Sequence, residues 1–201
     1  MRAANEALIV IDIQNDFCPG GALAVNEGDQ IVAGVNALMA EFQTIVLTQD
    51  WHPSGHSSFA SSHEGAEIMS LIDMPYGPQV LWPDHCVQGS QGAEFHADLN
   101  VDAAHMIVRK GFRSEIDSYS AFFENDHSTP TGLDGYLKSR GVDKLLMVGL
   151  ATDFCVNFSA VDGAKQGFEV TVDQSLCRAI DFDGSLDAAR TGMSQAGVTL
   201  L

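Results

Sequence analysis

Six short apolar runs, separated by longer amphipathic stretches, limit the folds available to this chain. The runs show little alternation of apolar and polar residues, which is typical of strands covered on both faces. Between them, residues 29–42, 131–140, 154–166 and 184–196 have the spacing of amphipathic helices. The runs that we expect to form strands are residues 7–13, 44–48, 105–109, 144–150, 168–172 and 198–201.

Strands that alternate with helices along a chain favour the α/β class. We therefore predict a doubly wound, mostly parallel six-stranded sheet with helices on both faces. Gly141, Gly167 and Gly197 each follow a predicted helix, where a glycine fits the C-terminal cap. At 201 residues, we expect a single domain that spans residues 1–201.

Residues 50–104 depart from this pattern. The segment is rich in Ser, Gly, Pro and His and has weak periodicity. A loop of this length in a compact domain is usually functional or disordered, and the aromatic and histidine content favours function. We therefore expect this region to bind a metal ion, a substrate or both.

The charge balance excludes several classes of partner. The chain has 27 Asp and Glu against 10 Lys and Arg, for a formal net charge of −17. Such a surface repels nucleic acid and anionic membranes, and no basic tract offsets it. No apolar stretch has the length of a membrane span, and the N-terminal sequence does not resemble a secretory signal. With no CxxC pair, we expect free thiols in a reducing cytoplasm at Cys18, Cys86, Cys155 and Cys177.

Reactive side chains follow four of the predicted strands. Ligands of open parallel sheets bind just beyond the carboxyl ends of the strands. Asp12 ends the first run, Asp50 and His52 follow the second, Lys110 follows the third and Cys155 follows the fourth. These side chains are therefore predicted to converge at one edge of the sheet.

Cys155 is the candidate nucleophile of this group. Thr152 fits the N-cap of the following helix, which would place Cys155 in the first turn. That position lowers the pKa of a thiol and leaves backbone N–H groups free to stabilise an oxyanion. Asp12 could take the thiol proton, and Lys110 could hold both anions in place, so the three residues make a known type of hydrolytic triad.

The run DWHPSGH at residues 50–56 offers two kinds of chemistry. Asp50 and His52 point the same way on an extended segment, so they could form a metal-binding pair or a general-base pair. His85, in the cluster WPDHC, could complete three protein ligands, which suit zinc, iron or manganese. His56 could be a fourth ligand, a donor to a ligand, or a residue that orders the loop.

Five segments resemble those of the isochorismatase-like hydrolases, and within them the nicotinamidases, also called pyrazinamidases. They are IDIQNDFCPGGAL (11–23), TQDWHPSGHSSFA (48–60), LWPDHCVQGSQGAEFH (81–96), VRKG (108–111) and VGLATDFCV (148–156). The resemblance extends over essentially the whole chain, and all five segments in order are far more specific than any one. It implies the catalytic triad Asp12, Lys110 and Cys155, and the metal ligands Asp50, His52 and His85.

The resemblance also implies details of the reaction. A cis peptide between Leu150 and Ala151 would aim the N–H groups of Ala151 and Cys155 into an oxyanion hole. Phe17, Trp82 and Tyr119 would line the substrate ring. One divalent metal ion, with zinc expected first and iron or manganese as alternatives, would orient nicotinamide or pyrazinamide. Hydrolysis through a thioester would give nicotinate and ammonia, in NAD salvage.

Two other functions stay open at this point. Another enzyme of the same fold could act on an N-carbamoyl or other small amide, or on a vinyl ether. Those relatives generally lack the Asp-x-His pair with a distant His, and isochorismatases need no cysteine. A non-catalytic metal-binding or scaffold protein is the alternative of another class, and the intact triad argues against it. The sequence leaves the oligomeric state open, a homo-oligomer included.

Overall fold

A six-stranded parallel sheet lies at the centre of the computed structural model, which describes residues 1–201. The strands are β1 (Glu6–Ile11), β2 (Ile45–Asp50), β3 (Leu71–Met74), β4 (Gly77–Val80), β5 (Met106–Lys110), β6 (Lys144–Leu150), β7 (Glu169–Arg178) and β8 (Thr199–Leu200). The α-helices are α1 (Val32–Met39), α2 (Leu133–Ser139), α3 (Asn157–Lys165) and α4 (Ser185–Gln195). The strand order is β5-β2-β1-β6-β7-β8, so the predicted fold class is confirmed.

Both faces of the sheet are covered by apolar side chains. Along β1, Ala7 and Ile9 pack into one cluster, with residues of α2, α3 and α4. Leu8 and Val10 pack into a second cluster on the other face, with residues of α1. Since successive residues point alternately into two apolar layers, a central strand needs no polar face. This explains the unbroken apolar runs.

Three helices end in the same glycine cap. Gly141, Gly167 and Gly197 have φ values of +70°, +91° and +85°, a region that glycine enters without a steric penalty. After α2, the Val142 N–H donates to the Leu137 carbonyl at 3.1 Å, which is the bond of a Schellman motif. The predicted caps are therefore confirmed.

The segment from residue 50 to residue 104 contains more regular structure than its sequence indicates. Strands β3 and β4 form an antiparallel hairpin outside the main sheet. Isolated bridges join His52 to Val87 and Phe59 to Trp82. A further bridge joins Phe95 to Gln14, so the segment folds against the end of β1. Its short elements have too few residues to show a period.

The four strands that precede the reactive side chains are neighbours in the sheet. In the order β5-β2-β1-β6, they are four consecutive strands of the six, and Asp50 of β2 lies in register with Lys110 of β5. The carboxyl ends of these strands form one continuous edge. None of the helices combines the length and the apolar character that a lipid bilayer span requires.

Candidate active site

Asp12, Lys110 and Cys155 meet at this edge of the sheet. Lys110 Nζ lies 2.8 Å from Asp12 Oδ2 and donates to Cys155 Sγ at 3.4 Å. Thr48 Oγ1 donates to Asp12 Oδ1 at 2.6 Å, which orients the carboxylate. All three side chains are buried, so their mutual interactions are weakly screened by water.

Burial also sets the protonation of this group. Burial raises the pKa of the Cys155 thiol well above its usual range; Lys110 opposes this shift, and the Asp12 and Asp50 carboxylates add to it. Burial raises the pKa of Asp12 in the same way, against the influence of Lys110. Burial lowers the pKa of Lys110, but the Asp12 and Asp50 carboxylates outweigh this effect and raise that pKa well above its usual range. The expectation of a lowered thiol pKa is therefore wrong, and the thiol needs a base.

The backbone around Cys155 differs from the predicted helix start. Thr152–Val156 form a single π-helical turn, and α3 begins only at Asn157. No side chain caps the turn, so the prediction that Thr152 is an N-cap is wrong. The peptide bond between Leu150 and Ala151 is cis, and the Ala151 N–H donates no hydrogen bond within the protein.

Asp50, His52 and His85 form a second cluster, directly beside the first. Nε2 of His52 and Nε2 of His85 lie 3.1 Å and 3.3 Å from Asp50 Oδ2. The Nδ1 atoms of both rings lie 2.8 Å from backbone carbonyls, of Gly111 and Pro83. A ring whose Nδ1–H donates to a carbonyl presents the lone pair of Nε2, which is the usual arrangement of a metal ligand.

Position 111 requires a glycine. Its φ of +66° lies in the left-handed region, and an added Cβ would lie 2.5 Å from His52 Cε1. The chain can therefore bring the Gly111 carbonyl to the His52 ring only because no side chain is present. This glycine belongs to the VRKG segment, directly after Lys110.

His56 lies beside this cluster, but both its ring nitrogens have other partners. Its Nδ1 lies 2.7 Å from Ser58 Oγ, and its Nε2 lies 2.8 Å from the Arg113 carbonyl. Ligand atoms of His52, His56 and Asp117 also lie close enough to share an ion. Because both nitrogens of His56 are hydrogen-bonded within the protein, the structure favours a role for His56 in ordering the loop over a role as a metal ligand.

A small cavity opens onto both clusters. Phe17, Trp82 and Tyr119 form aromatic walls, and Trp82 Nε1 donates to the Tyr119 hydroxyl at 3.0 Å. The other lining residues are Leu23, Asp50, His85, Asp117, Ala151, Phe154, Cys155 and Ile180.

Several of these residues were missed by sequence reasoning. Phe154 could have been found, because it lies next to Cys155 after a strand end. Asp117, Leu23 and Ile180 lie outside regular elements, and no periodic pattern indicates where their side chains point. Gln14 was also missed: its side chain donates to the Asp50 carbonyl at 2.8 Å and accepts from the Asp50 N–H at 2.7 Å.

The fold and the site define a doubly wound α/β protein with a buried Asp–Lys–Cys cluster beside an Asp–His–His cluster. The family model described as "Isochorismatase domain" matches residues 6–201. The chain belongs to the isochorismatase family.

Known relatives are similar to this chain over nearly its whole length. A nicotinamidase of Acinetobacter baylyi is 55% identical over 98% of this chain and 92% of the relative. A solved nicotinamidase/pyrazinamidase of Acinetobacter baumanii is 52% identical, covers 100% of this chain and 97% of the relative, and has a TM-score of 0.99. A pyrazinamidase of Pyrococcus horikoshii, solved in complex with zinc, is 36% identical over 98% of each chain, with a TM-score of 0.79.

Proposed function

We propose that this protein is a metal-dependent amidohydrolase that converts nicotinamide to nicotinate and ammonia, and that it also accepts pyrazinamide. The observation that carries the proposal is the shared cavity, into which a thiol, a ligand-type cluster and aromatic walls all face. The relatives named nicotinamidase support the choice of substrate.

The ligand-type cluster fits one divalent cation. Two imidazole nitrogens and one carboxylate oxygen lie within reach of a common centre and leave other coordination positions open. Zinc is our first expectation, because these donors suit it and the Pyrococcus horikoshii relative was solved with zinc; iron and manganese accept the same donors. When bound, the cation would orient the ring of the substrate through its ring nitrogen.

The first half of the reaction forms a thioester. Asp12 takes the proton of the Cys155 thiol, while Lys110 stays charged and stabilises the thiolate that results. The sulfur attacks the carboxamide carbon, and the N–H groups of Ala151 and Cys155 hold the oxygen that becomes negative. Asp12 then returns the proton to the amide nitrogen, the C–N bond breaks and ammonia leaves.

The second half releases the acid. Asp12, again a carboxylate, takes a proton from a water molecule that attacks the thioester carbon, and the C–S bond breaks as Cys155 recovers its proton. Phe17, Trp82 and Tyr119 hold the ring throughout and limit the entry of further water. Together, the two halves consume one amide and one water molecule and produce one carboxylic acid and one ammonia.

The test is release of ammonia from nicotinamide by the purified protein, with elemental analysis of bound metal. We expect activity that chelation abolishes and that Cys155→Ala lowers by at least about 10³-fold. Cys177→Ala is the matched control, because Cys177 is also a buried free thiol but does not line the cavity. Full activity of the Cys155→Ala variant would exclude the thioester mechanism.

The runner-up substrate class has its own test. An N-carbamoyl amine offered under the same conditions should release ammonia far more slowly than nicotinamide. The reverse order would make the protein a carbamoyl amidase with the same triad.

The product also indicates a cellular role. Nicotinate formed from nicotinamide is a precursor for NAD, so we place the reaction in NAD salvage. The four cysteines are all free thiols, which fits a reducing compartment such as the cytoplasm.

A further inference from the structure

Asp153 is a buried carboxylate that the proposed reaction does not use. It lies two residues before Cys155 in the π-helical turn, and it is 4% exposed. Its Oδ1 accepts from the Ile180 N–H at 3.1 Å, and its Oδ2 accepts from the Asp181 N–H at 2.8 Å. The Ser185 hydroxyl donates to the same Oδ2. One side chain therefore joins the turn that carries Cys155 to the segment between β7 and α4.

That segment depends on Asp153 for its position. Residues 179–184 contain no helix or strand, and Asp181 and Asp183 have φ values of +53° and +50°. Such values are uncommon for residues other than glycine and persist only where surrounding contacts hold them. The N–H groups of Ile180 and Asp181 donate to Asp153 and make no backbone hydrogen bond.

The segment in turn places one side chain at the cavity. Ile180 lines the cavity on which Cys155 and the three aromatic walls also lie. A shift of the segment would therefore move an apolar wall of the cavity without moving the triad. The position of this wall would set the room that is left for substituents on a substrate ring.

We propose that Asp153 is a positioning residue that fixes Ile180 against the substrate cavity, and that Ile180 thereby determines which ring substituents the enzyme accepts. The proposal rests on the proposed amidase function. Asparagine at position 153 would keep the size of the side chain but would turn an NH₂ group toward one of two backbone N–H donors. That donor would lose its partner, and the segment would no longer be held at both points.

The experiment is a double-mutant cycle. The variants are Asp153→Asn, Ile180→Ala and the two combined, and the readouts are kcat and KM for nicotinamide and for a series of ring-methylated nicotinamides. We expect each single variant to raise KM for nicotinamide by roughly 5–20-fold with kcat changed by less than about threefold. Both should improve the relative kcat/KM for at least one methylated substrate, and the combined variant should add little, because both changes remove one contact.

Two further variants make the result decisive. Asp173→Asn is the matched control: Asp173 also accepts from a backbone N–H and a hydroxyl, both of Ser175, but Ser175, unlike Ile180, does not line the cavity. It should leave KM and selectivity unchanged. Ser185→Ala removes one donor to Asp153 and should shift selectivity in the same direction, so it serves if Asp153→Asn does not fold.

The proposal would be overturned if the effects of the Asp153 (or Ser185) and Ile180 changes on KM and selectivity were fully additive. It would also be overturned if the variants lowered kcat and left KM unchanged. Failure of the unaltered protein to release ammonia from nicotinamide would instead overturn the proposed function, and it would be seen before any variant is compared.

Discussion

At the scale of single residues, the protonation of Cys155 is the property that most directly affects chemistry. Burial raises the pKa of this thiol, Lys110 opposes the shift, and the Asp12 and Asp50 carboxylates add to it. The thiolate is the reactive form, so the resting thiol is protected from oxidation and alkylation near neutral pH. In the reaction that we propose, Cys155 becomes a nucleophile when Asp12 takes its proton.

We predict that alkylation of Cys155 by iodoacetamide in the chelator-treated protein is slow at pH 7. Because the raised pKa leaves little thiolate, the rate should increase about tenfold per pH unit through the mildly alkaline range. Mass spectrometry of the peptide that contains Cys155 measures the rate, with a free cysteine peptide as the reference. A rate that is fast and independent of pH above pH 6 would contradict the raised thiol pKa.

Gly111 provides the second prediction at this scale. Gly111→Ala should lower metal affinity about 10–100-fold, because the new Cβ would displace the His52 ring from the carbonyl that orients it. Gly141→Ala is the matched control, since it has a similar φ of +70° but no atom within 4 Å of an added Cβ. Elemental analysis after dialysis measures the metal. Equal metal content in both variants would show that backbone strain alone accounts for any effect.

At the scale of elements, the glycines within two of the helices have different surroundings: Gly163 of α3 is buried, and Gly135 of α2 is exposed. An added Cβ at Gly163 of α3 would lie 3.2–3.3 Å from Phe122, Met147 and Val170, whereas one at Gly135 of α2 would meet no atom within 4 Å. The glycine in α3 is therefore a packing requirement, and the glycine in α2 only lowers helix propensity.

We predict opposite effects of alanine at these two positions. Gly135→Ala should raise the free energy of unfolding by about 0.5–1 kcal/mol, and Gly163→Ala should lower it by roughly 1 kcal/mol or more. Urea denaturation followed by circular dichroism measures both. A stabilising Gly163→Ala would mean that the neighbouring side chains adjust without cost.

The elements also show what the sequence could predict. Central strands such as β1 were predictable because burial on both faces leaves an unbroken apolar run. Strand β7 continues to Arg178, beyond the predicted end at residue 172, past an irregularity in its register with β6 that no local pattern indicates. The hairpin of β3 and β4 was missed because each strand has only four residues.

The candidate site likewise contains residues that could be predicted from the sequence and residues that could not. The rule that ligands bind at the carboxyl ends of parallel strands was enough to collect Asp12, Asp50, Lys110 and Cys155 without reference to any relative. Ile180 could not be found in that way, because its position depends on a hydrogen bond to a residue far away in the sequence. Residues on strands inherit their direction from the sheet, whereas residues on loops take theirs from tertiary contacts.

At the scale of the whole molecule, the formal net charge of −17 is the dominant property. Like charges on one small protein repel each other and destabilise the compact state, and salt screens this repulsion. We predict that the melting temperature rises between 50 mM and 1 M NaCl, by about 2–4 °C for each kcal/mol of repulsion removed. Differential scanning calorimetry measures the change, and a fall over this range would contradict the prediction.

The order of the strands in the sheet has a consequence for how activity arises. Pairing of β1 with β6 joins Glu6 to Lys144, so the two central strands come from distant parts of the chain. Closing so large a loop is slow relative to forming a helix. No contiguous piece of the chain that lacks either strand can hold both Asp12 and Cys155 in place. During renaturation from urea, the return of catalysis would therefore be a late event, and turnover itself would report that β1 and β6 have paired.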